Sequence, residues 1–122
     1  MASMPPPQQK PSLPIIERFI QIYKLWHEFV PHVPKTARYT LGSKIDALFV
    51  ETIEQIFIAG YLPRDKKLPY IQNAIVKSNL LKFFLRVAWE IKALDTKKYA
   101  LLSEYLDEIG RMLGGWNRQF MQ

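Results

Sequence analysis

The chain has 122 residues, of which 48% are hydrophobic, and it carries a formal net charge of +6 at pH 7. This length and composition suit one globular domain with a real core. The chain has no cysteine, which excludes disulfide frameworks, thiolate metal sites and cysteine nucleophiles. It also lacks the run of about 18 apolar residues that a membrane span requires. We therefore expect a cytoplasmic protein with no membrane association.

The start of the chain differs in composition from the rest. Its first fourteen residues, MASMPPPQQKPSLP, hold five of the nine prolines and contain no hydrophobic run. This segment also lacks the apolar stretch of a signal peptide. We predict a disordered, proline-rich leader over residues 1–13 and a single folded domain over residues 14–121.

Two helices are predicted in the first half of the domain. The first covers about residues 15–29, where apolar residues recur at spacings of three and four, and Pro31 and Pro34 end it. The second runs from about residue 36 to residue 59, with Gly60 as its C-terminal stop.

Two further helices follow. The third begins between residues 65 and 69 and continues to residue 94. Its apolar residues form two adjoining stripes, and so broad an arc predicts a helix covered on more than one side: Leu80, Phe84, Val87, Ile91 and Leu94 in one, Leu81, Leu85 and Ala88 in the other. The fourth begins at residue 95 or 96, and its apolar seam is Tyr99, Leu102, Leu106, Ile109, Leu113, Trp116 and Phe120. No alternation of period two is present and the connections are short. The predicted fold is therefore all-α, an antiparallel up-down-up-down four-helix bundle.

Glycines interrupt the fourth predicted helix in the stretch LDEIGRMLGGW, residues 106–116. Each glycine inside a helix costs about 1 kcal/mol relative to alanine. Gly110 and Gly114 are four residues apart and lie on one side of the helix. Three explanations are open: close packing inside the bundle, close packing between subunits, or an end of the helix at Gly114 or Gly115.

The sequence contains no recognisable catalytic or metal site. His27 and His32 have no glutamate three residues before them, as a di-iron site in a helical bundle would require. No serine, threonine or lysine has the spacing of a nucleophile and its base, and the glycines match no phosphate-binding loop. We therefore predict a protein that is not an enzyme and uses no metal or other cofactor.

The positive charge is unevenly distributed. Residues 64–98 contain nine basic residues against three acidic ones, whereas the rest of the chain is balanced. Because such an excess suits a polyanionic partner, the following residues are candidates for nucleic-acid binding: Lys35, Arg38, Arg64, Lys66, Lys67, Lys77, Lys82, Arg86, Lys92, Lys97 and Lys98. The antiparallel topology predicts that they gather mainly at the two ends of the bundle. Basic surfaces also serve plain solubility, so charge alone leaves that alternative open.

Trp89 is predicted on the same side of the third helix as Lys82 and Arg86. Tryptophan beside cations is found where bases stack and where subunits meet. The other interpretation is that Arg86 pairs with Glu90, four residues on, while Trp89 covers a neighbouring helix.

Two motifs carry a resemblance to a known family. ARYTLGSKID at residues 37–46 and LDEIGRMLGGW at residues 106–116 resemble the Avd accessory proteins of diversity-generating retroelements. The resemblance extends over about residues 13–116. It implies a homopentameric barrel of four-helix bundles that is not an enzyme. It also implies binding of RNA, possibly of DNA, and association with an error-prone reverse transcriptase and its template RNA in mutagenic retrohoming.

The resemblance transfers few individual residues. Arg38, Tyr39, Thr40, Leu41 and Gly42 match the first motif, and Ile109, Gly110, Leu113, Gly114 and Trp116 match the second. Their implied role is architectural, and we predict that Trp89, Gly110, Gly114 and Trp116 serve helix or subunit packing. The proline-rich leader departs from the family pattern. Related bundles are encoded by intervening sequences in 23S ribosomal RNA genes, so a bundle or structural oligomer with no polymerase partner is the alternative.

Overall fold

The computed structural model describes residues 13–121, and every element in that range is helical. The helices are α1 (Leu13–Phe29), α2 (Lys35–Arg38), α3 (Leu41–Tyr61), α4 (Leu68–Glu90) and α5 (Thr96–Phe120), with 3-10 turns at Val30–His32 and Arg64–Lys66. The all-α class predicted from the sequence is confirmed. The predicted disorder of residues 1–13 lies outside the described residues, except for Leu13, at which α1 begins.

The four long helices pack around one hydrophobic core. Each of α3 and α5 contacts both α1 and α4. Residue numbers rise along α3 as they fall along α4, since Glu51 pairs with Lys77 and Gln55 accepts a hydrogen bond from Asn73. The largest fully buried side chains include Trp26, Phe19 and Phe49, which form aromatic contacts where α1 meets α3. Burial of this apolar surface is the main stabilising term.

The second predicted helix is interrupted. It consists of the short α2 and the long α3, with a break at Tyr39 and Thr40, where the φ and ψ of Thr40 are −114° and −89°. The Thr40 hydroxyl donates to the carbonyl oxygen of Ala37 at 3.3 Å. A Cβ atom built on Gly42 would lie 3.4 Å from that same oxygen. The small residue thus lets the start of α3 approach the end of α2 closely.

The third predicted helix ends four residues early, at Glu90. Lys92 adopts a left-handed φ of 65°, and the backbone N–H groups of Ala93 and Leu94 both donate to the carbonyl oxygen of Ala88. This reversal folds Ala93 and Leu94 into the core and leaves Ile91 58% exposed. This hydrogen-bonding pattern is typical of an α-helix that ends with one residue in the left-handed conformation.

Of the two apolar stripes predicted on this helix, the one formed by Leu81, Leu85 and Ala88 is buried, whereas the other is only partly covered. Leu80 is 42% exposed, and the residues of α4 that are buried are Ile71, Ala74, Ser78, Leu81, Leu85 and Ala88. The apolar arc is broader than the buried arc, so the sequence pattern did not identify which part of it faces the core. An apolar strip of α4 therefore remains on the surface.

The fourth predicted helix is confirmed as α5. Its first residue is Thr96, and the Asp95 carboxylate caps it by accepting a hydrogen bond from the backbone N–H of Lys98 at 2.8 Å. Hydrogen bonds from the Lys98 side chain and backbone lower the pKa of Asp95. The predicted seam is buried from Leu102 to Trp116.

Candidate nucleic-acid interface

The basic residues along the middle of α4 are paired with carboxylates. Lys77 pairs with Glu51 at 3.1 Å, Lys82 with Asp107 on α5, and Arg86 with Glu90 at 2.7 Å. The Arg86 pair is the alternative that the spacing of four left open, and the hydrogen bond to Glu90 raises the pKa of Arg86. Local charge on this part of α4 is therefore largely compensated.

Two of the residues predicted to bind nucleic acid donate hydrogen bonds to backbone carbonyl oxygens within the chain. The Arg38 guanidinium donates to the carbonyl oxygens of Val33 at 3.0 Å and Pro31 at 3.1 Å. It thereby fixes the turn between α1 and α2. Lys67 is only 7% exposed, and its Nζ atom donates to the carbonyl oxygen of Ala59 at 2.7 Å. The sequence could not show either engagement, because the acceptors are backbone atoms brought close by chain reversals.

Three predicted residues remain exposed at one end of the molecule, which we call the α4–α5 end. Lys35 lies at the start of α2, while Lys92 and Lys97 flank the connection from α4 to α5. None of the three has an ion pair within residues 13–121. The two segments meet in space, because residues of both, among them Val33 and Leu94, line one small internal cavity.

Lys98 lies at the same end but is partly engaged. Its ammonium pairs with Asp95 at 2.7 Å and lies 5.6 Å from the centre of the Phe29 ring. It is half-buried, and it therefore contributes less accessible charge than Lys97 beside it.

The opposite end, which we call the α3–α4 end, carries Arg64 and Lys66 on the 3-10 turn between those helices. Both are exposed and neither forms an ion pair with another described residue. The Arg64 guanidinium lies over the ring of Phe120, 4.7 Å from its centre, which brings the end of α5 to this end of the molecule. Arg118 on α5 is also exposed.

Trp89 packs against α5. Its ring stacks on Tyr99 with centres 5.0 Å apart and planes at 11°, and its Nε1 atom donates to the Thr96 hydroxyl at 3.0 Å. This geometry is the one in which Trp89 covers a neighbouring helix rather than stacking on a base, and its contact with another subunit stays a prediction. Trp116, by contrast, is 5% exposed and lies in the core.

The glycines of α5 are not explained by packing within this chain. A Cβ atom built on Gly110 would meet nothing within 4 Å, and one on Gly114 would meet only the Arg118 guanidinium at 3.6 Å. Nor do these glycines end the helix, which continues to Phe120. Of the three explanations, close packing inside the bundle therefore does not apply to Gly110 among the described residues, and close packing between subunits stays a prediction.

The structure also has an exposed apolar surface that the sequence did not locate. We call it the outer α3–α4 face, and its exposed members are Val50, Phe57 and Tyr61 on α3, Val76, Leu80 and Phe83 on α4, and Ile91 just beyond α4. Each is at least 42% exposed. Large apolar side chains that are exposed in number on two neighbouring helices indicate an interaction surface. Its signal in the sequence was the broad apolar arc of α4.

Residues 13–121 contain neither a metal-ion site nor a membrane-spanning helix. Within them, no cluster of three or more histidine or carboxylate side chains has the arrangement to hold a metal ion. In the same range, no helix combines the length and apolar character needed to cross a membrane.

The chain matches the model of one known protein family. No curated protein matches the chain. A family model described as bAvd-like matches residues 13–120, which includes all five helices and both motifs. The Avd type is an accessory protein rather than a catalytic one. The chain therefore belongs to the bAvd-like family.

Proposed function

We propose that this protein is a non-catalytic, nucleic-acid-binding accessory protein of a diversity-generating reverse transcriptase in the cytoplasm. It binds RNA, and possibly DNA, and associates with the polymerase and its template RNA to support mutagenic retrohoming. Catalysis belongs to the polymerase, and this protein supplies a positively charged scaffold. Family membership and the overall charge of +6 support the proposal.

One observation carries the binding part of the proposal. The predicted basic residues that have no carboxylate partner among the described residues, and are exposed, lie at the two ends of the molecule: Lys35, Lys92 and Lys97 at one, Arg64 and Lys66 at the other. Exposed unpaired cations can neutralise phosphates at little cost, whereas paired ones must first give up their carboxylates. Counterion release then drives association with a nucleic-acid backbone.

We further propose that the helices form an up-down-up-down bundle and that the bundles assemble into a homopentameric ring. The opposed numbering of contacting residues on α3 and α4 supports the bundle. The outer α3–α4 face supports self-association, because burial of its exposed apolar side chains requires a partner. A ring repeats each basic end around its circumference, which multiplies the attraction for a long polyanion.

Binding is tested with a structured RNA over a salt series, on protein whose mass in solution is measured in the same buffer. The wild-type log Kd should vary linearly with log salt concentration. Replacing Lys35, Lys92 and Lys97 together by glutamine should reduce the slope by about 0.7–0.9 for each phosphate that is no longer neutralised. The matched control replaces Lys77, Lys82 and Arg86 by glutamine and should change the slope much less. No binding by the wild type at low salt would reject the nucleic-acid function.

The polymerase partner needs a separate test. The protein is co-expressed with a reverse transcriptase encoded beside its gene, with and without the template RNA, and complexes are isolated by affinity purification. Recovery of the polymerase at a fixed stoichiometry supports the proposal. RNA binding without any polymerase recovery would instead favour a related bundle that has no polymerase partner.

A further inference from the structure

A shallow groove runs between α4 and α5 on the surface that carries Gly110. Its volume is about 440 Å³, and its lining includes Ser78 and Asn79 on α4 and Gly110 and Arg111 on α5. Because Gly110 has no side chain and its Cβ position is open, the backbone of α5 can be approached closely here. Nothing within residues 13–121 makes that approach.

The groove also contains a buried polar atom without a partner. Ser78 is 2% exposed, and its Oγ atom makes no hydrogen bond within the described residues. Buried hydroxyl groups are normally hydrogen-bonded, because an unsatisfied one costs free energy. This hydroxyl lies beneath the surface of the groove, where no described residue satisfies it.

The outer α3–α4 face has the complementary character. Its apolar and aromatic side chains project from α3 and α4, and Glu54 lies among them, four residues after Val50 and three before Phe57. Glu54 is exposed and has no ion pair or hydrogen bond within the described residues. The other carboxylates of α3 and α4 are engaged: Asp46 with Tyr23 and Trp26, Glu51 with Lys77, and Glu90 with Arg86.

The unpaired charge beside the groove is positive, opposite in sign to the carboxylate of Glu54. Arg111 lines the groove, is exposed and forms no ion pair with another described residue, whereas Lys82, which lines it too, is paired with Asp107. One surface thus presents projecting apolar groups and an unpaired carboxylate. The other presents a depression beside a glycine and an unpaired guanidinium. Such matching favours one docking register over others.

We propose that the α4–α5 groove receives the outer α3–α4 face of a second copy of this chain, with Glu54 of one copy paired with Arg111 of the next. The two surfaces are different and lie on neighbouring sides of α4, so the contact is head-to-tail. Each copy is then rotated relative to the last, and a repeated rotation can close into a ring. The inference rests on the homo-oligomer of the proposed function and assigns its interface.

Charge reversal provides a sharp test. Glu54→Arg and Arg111→Glu should each raise the concentration for half-assembly roughly 10-fold or more, because like charges then face each other. The double variant E54R/R111E restores the pair in reversed order and should return that concentration to within about threefold of the wild type. Glu17→Arg, which reverses an exposed carboxylate on α1, is the control and should leave assembly unchanged. Mass is measured by analytical ultracentrifugation over a dilution series.

A second test uses the glycine. Gly110→Leu fills the groove, so assembly should be lost, while helical circular dichroism and cooperative unfolding are retained because the position is open within the chain. Gly115→Leu is the matched control, since Gly115 does not line the groove. Intact assembly of the Gly110→Leu variant would overturn the inference.

The outcomes separate this inference from the proposed function. A wild-type protein that is monomeric at every concentration would reject the homo-oligomer itself. A wild-type oligomer that withstands both single reversals, or that the double variant fails to restore, would reject this interface and leave the oligomer in place. RNA binding is measured separately and tests neither point.

Discussion

The Nζ atom of Lys67, just before α4, lies 2.7 Å from the carbonyl oxygen of Ala59 near the end of α3 and 3.4 Å from that of Gly60. The last carbonyl groups of a helix have no partner within it, and they carry the negative end of the helix dipole. A buried ammonium therefore satisfies the end of α3 and ties it to the start of α4. The positive charge of Lys67 thus stabilises the C-terminus of α3.

Replacing Lys67 by methionine should accordingly destabilise the fold. We expect the free energy of unfolding to fall by about 1.5–3 kcal/mol, the usual range for a hydrogen bond from a charged group. Its exposed neighbour Lys66 provides the control, and Lys66→Met should stay within about 0.5 kcal/mol of the wild type. Chemical denaturation of both variants measures the difference. Equal stabilities would contradict the capping role.

A polar contact between α1 and α3 predicts a pH dependence. The Tyr23 hydroxyl donates to Asp46 at 2.8 Å, and burial together with this carboxylate raises the pKa of Tyr23. Tyr23→Phe should lower the free energy of unfolding by about 1 kcal/mol at pH 7. A raised pKa contributes stability that is fully present below the unfolded value, about 10, and is lost as the pH rises through the folded value.

The stability gap between the wild type and Tyr23→Phe should therefore shrink above pH 10. Denaturation at pH 7, 9 and 10.5 measures that gap. If the difference in free energy of unfolding stays constant or widens at high pH, then the protonated Tyr23 hydroxyl does not stabilise the fold by donating to Asp46.

The left-handed backbone of Lys92 predicts a stabilising substitution. A residue with a Cβ atom is strained at a φ of 65°, whereas glycine is not. Lys92→Gly should raise the free energy of unfolding by about 0.5–1 kcal/mol. Lys92→Ala, which removes the same charge but keeps the Cβ atom, should bring no such gain. Because both variants lose one exposed cation, their RNA affinities should fall equally.

The stack of Trp89 on Tyr99 predicts a structural phenotype. Trp89→Ala should lower the free energy of unfolding by at least about 1 kcal/mol, since it removes an aromatic pair between α4 and α5 and the hydrogen bond to Thr96. The salt dependence of RNA binding should not change, because the substitution removes no cation. A large fall in affinity with unaltered stability would instead indicate base stacking.

The sequence by itself determined the features that depend on neighbouring residues. The apolar spacing of α5 predicted its buried seam, Asp95 marked its start, and the spacing of four between Arg86 and Glu90 suggested their ion pair as one of two interpretations. Helix periodicity and capping act within a few residues, so a pattern in the chain is enough to reveal them.

Tertiary structure decided the features that depend on distant residues. The same apolar arc of α4 contains the buried Leu81 and the exposed Leu80, and only the position of the other helices separates them. Lys67 is a cap rather than a surface cation because the chain reverses between α3 and α4. Gly110 is open because no other helix among the described residues crosses it. Burial, pairing and accessibility arise from residues far apart in sequence, and so no local pattern specifies them.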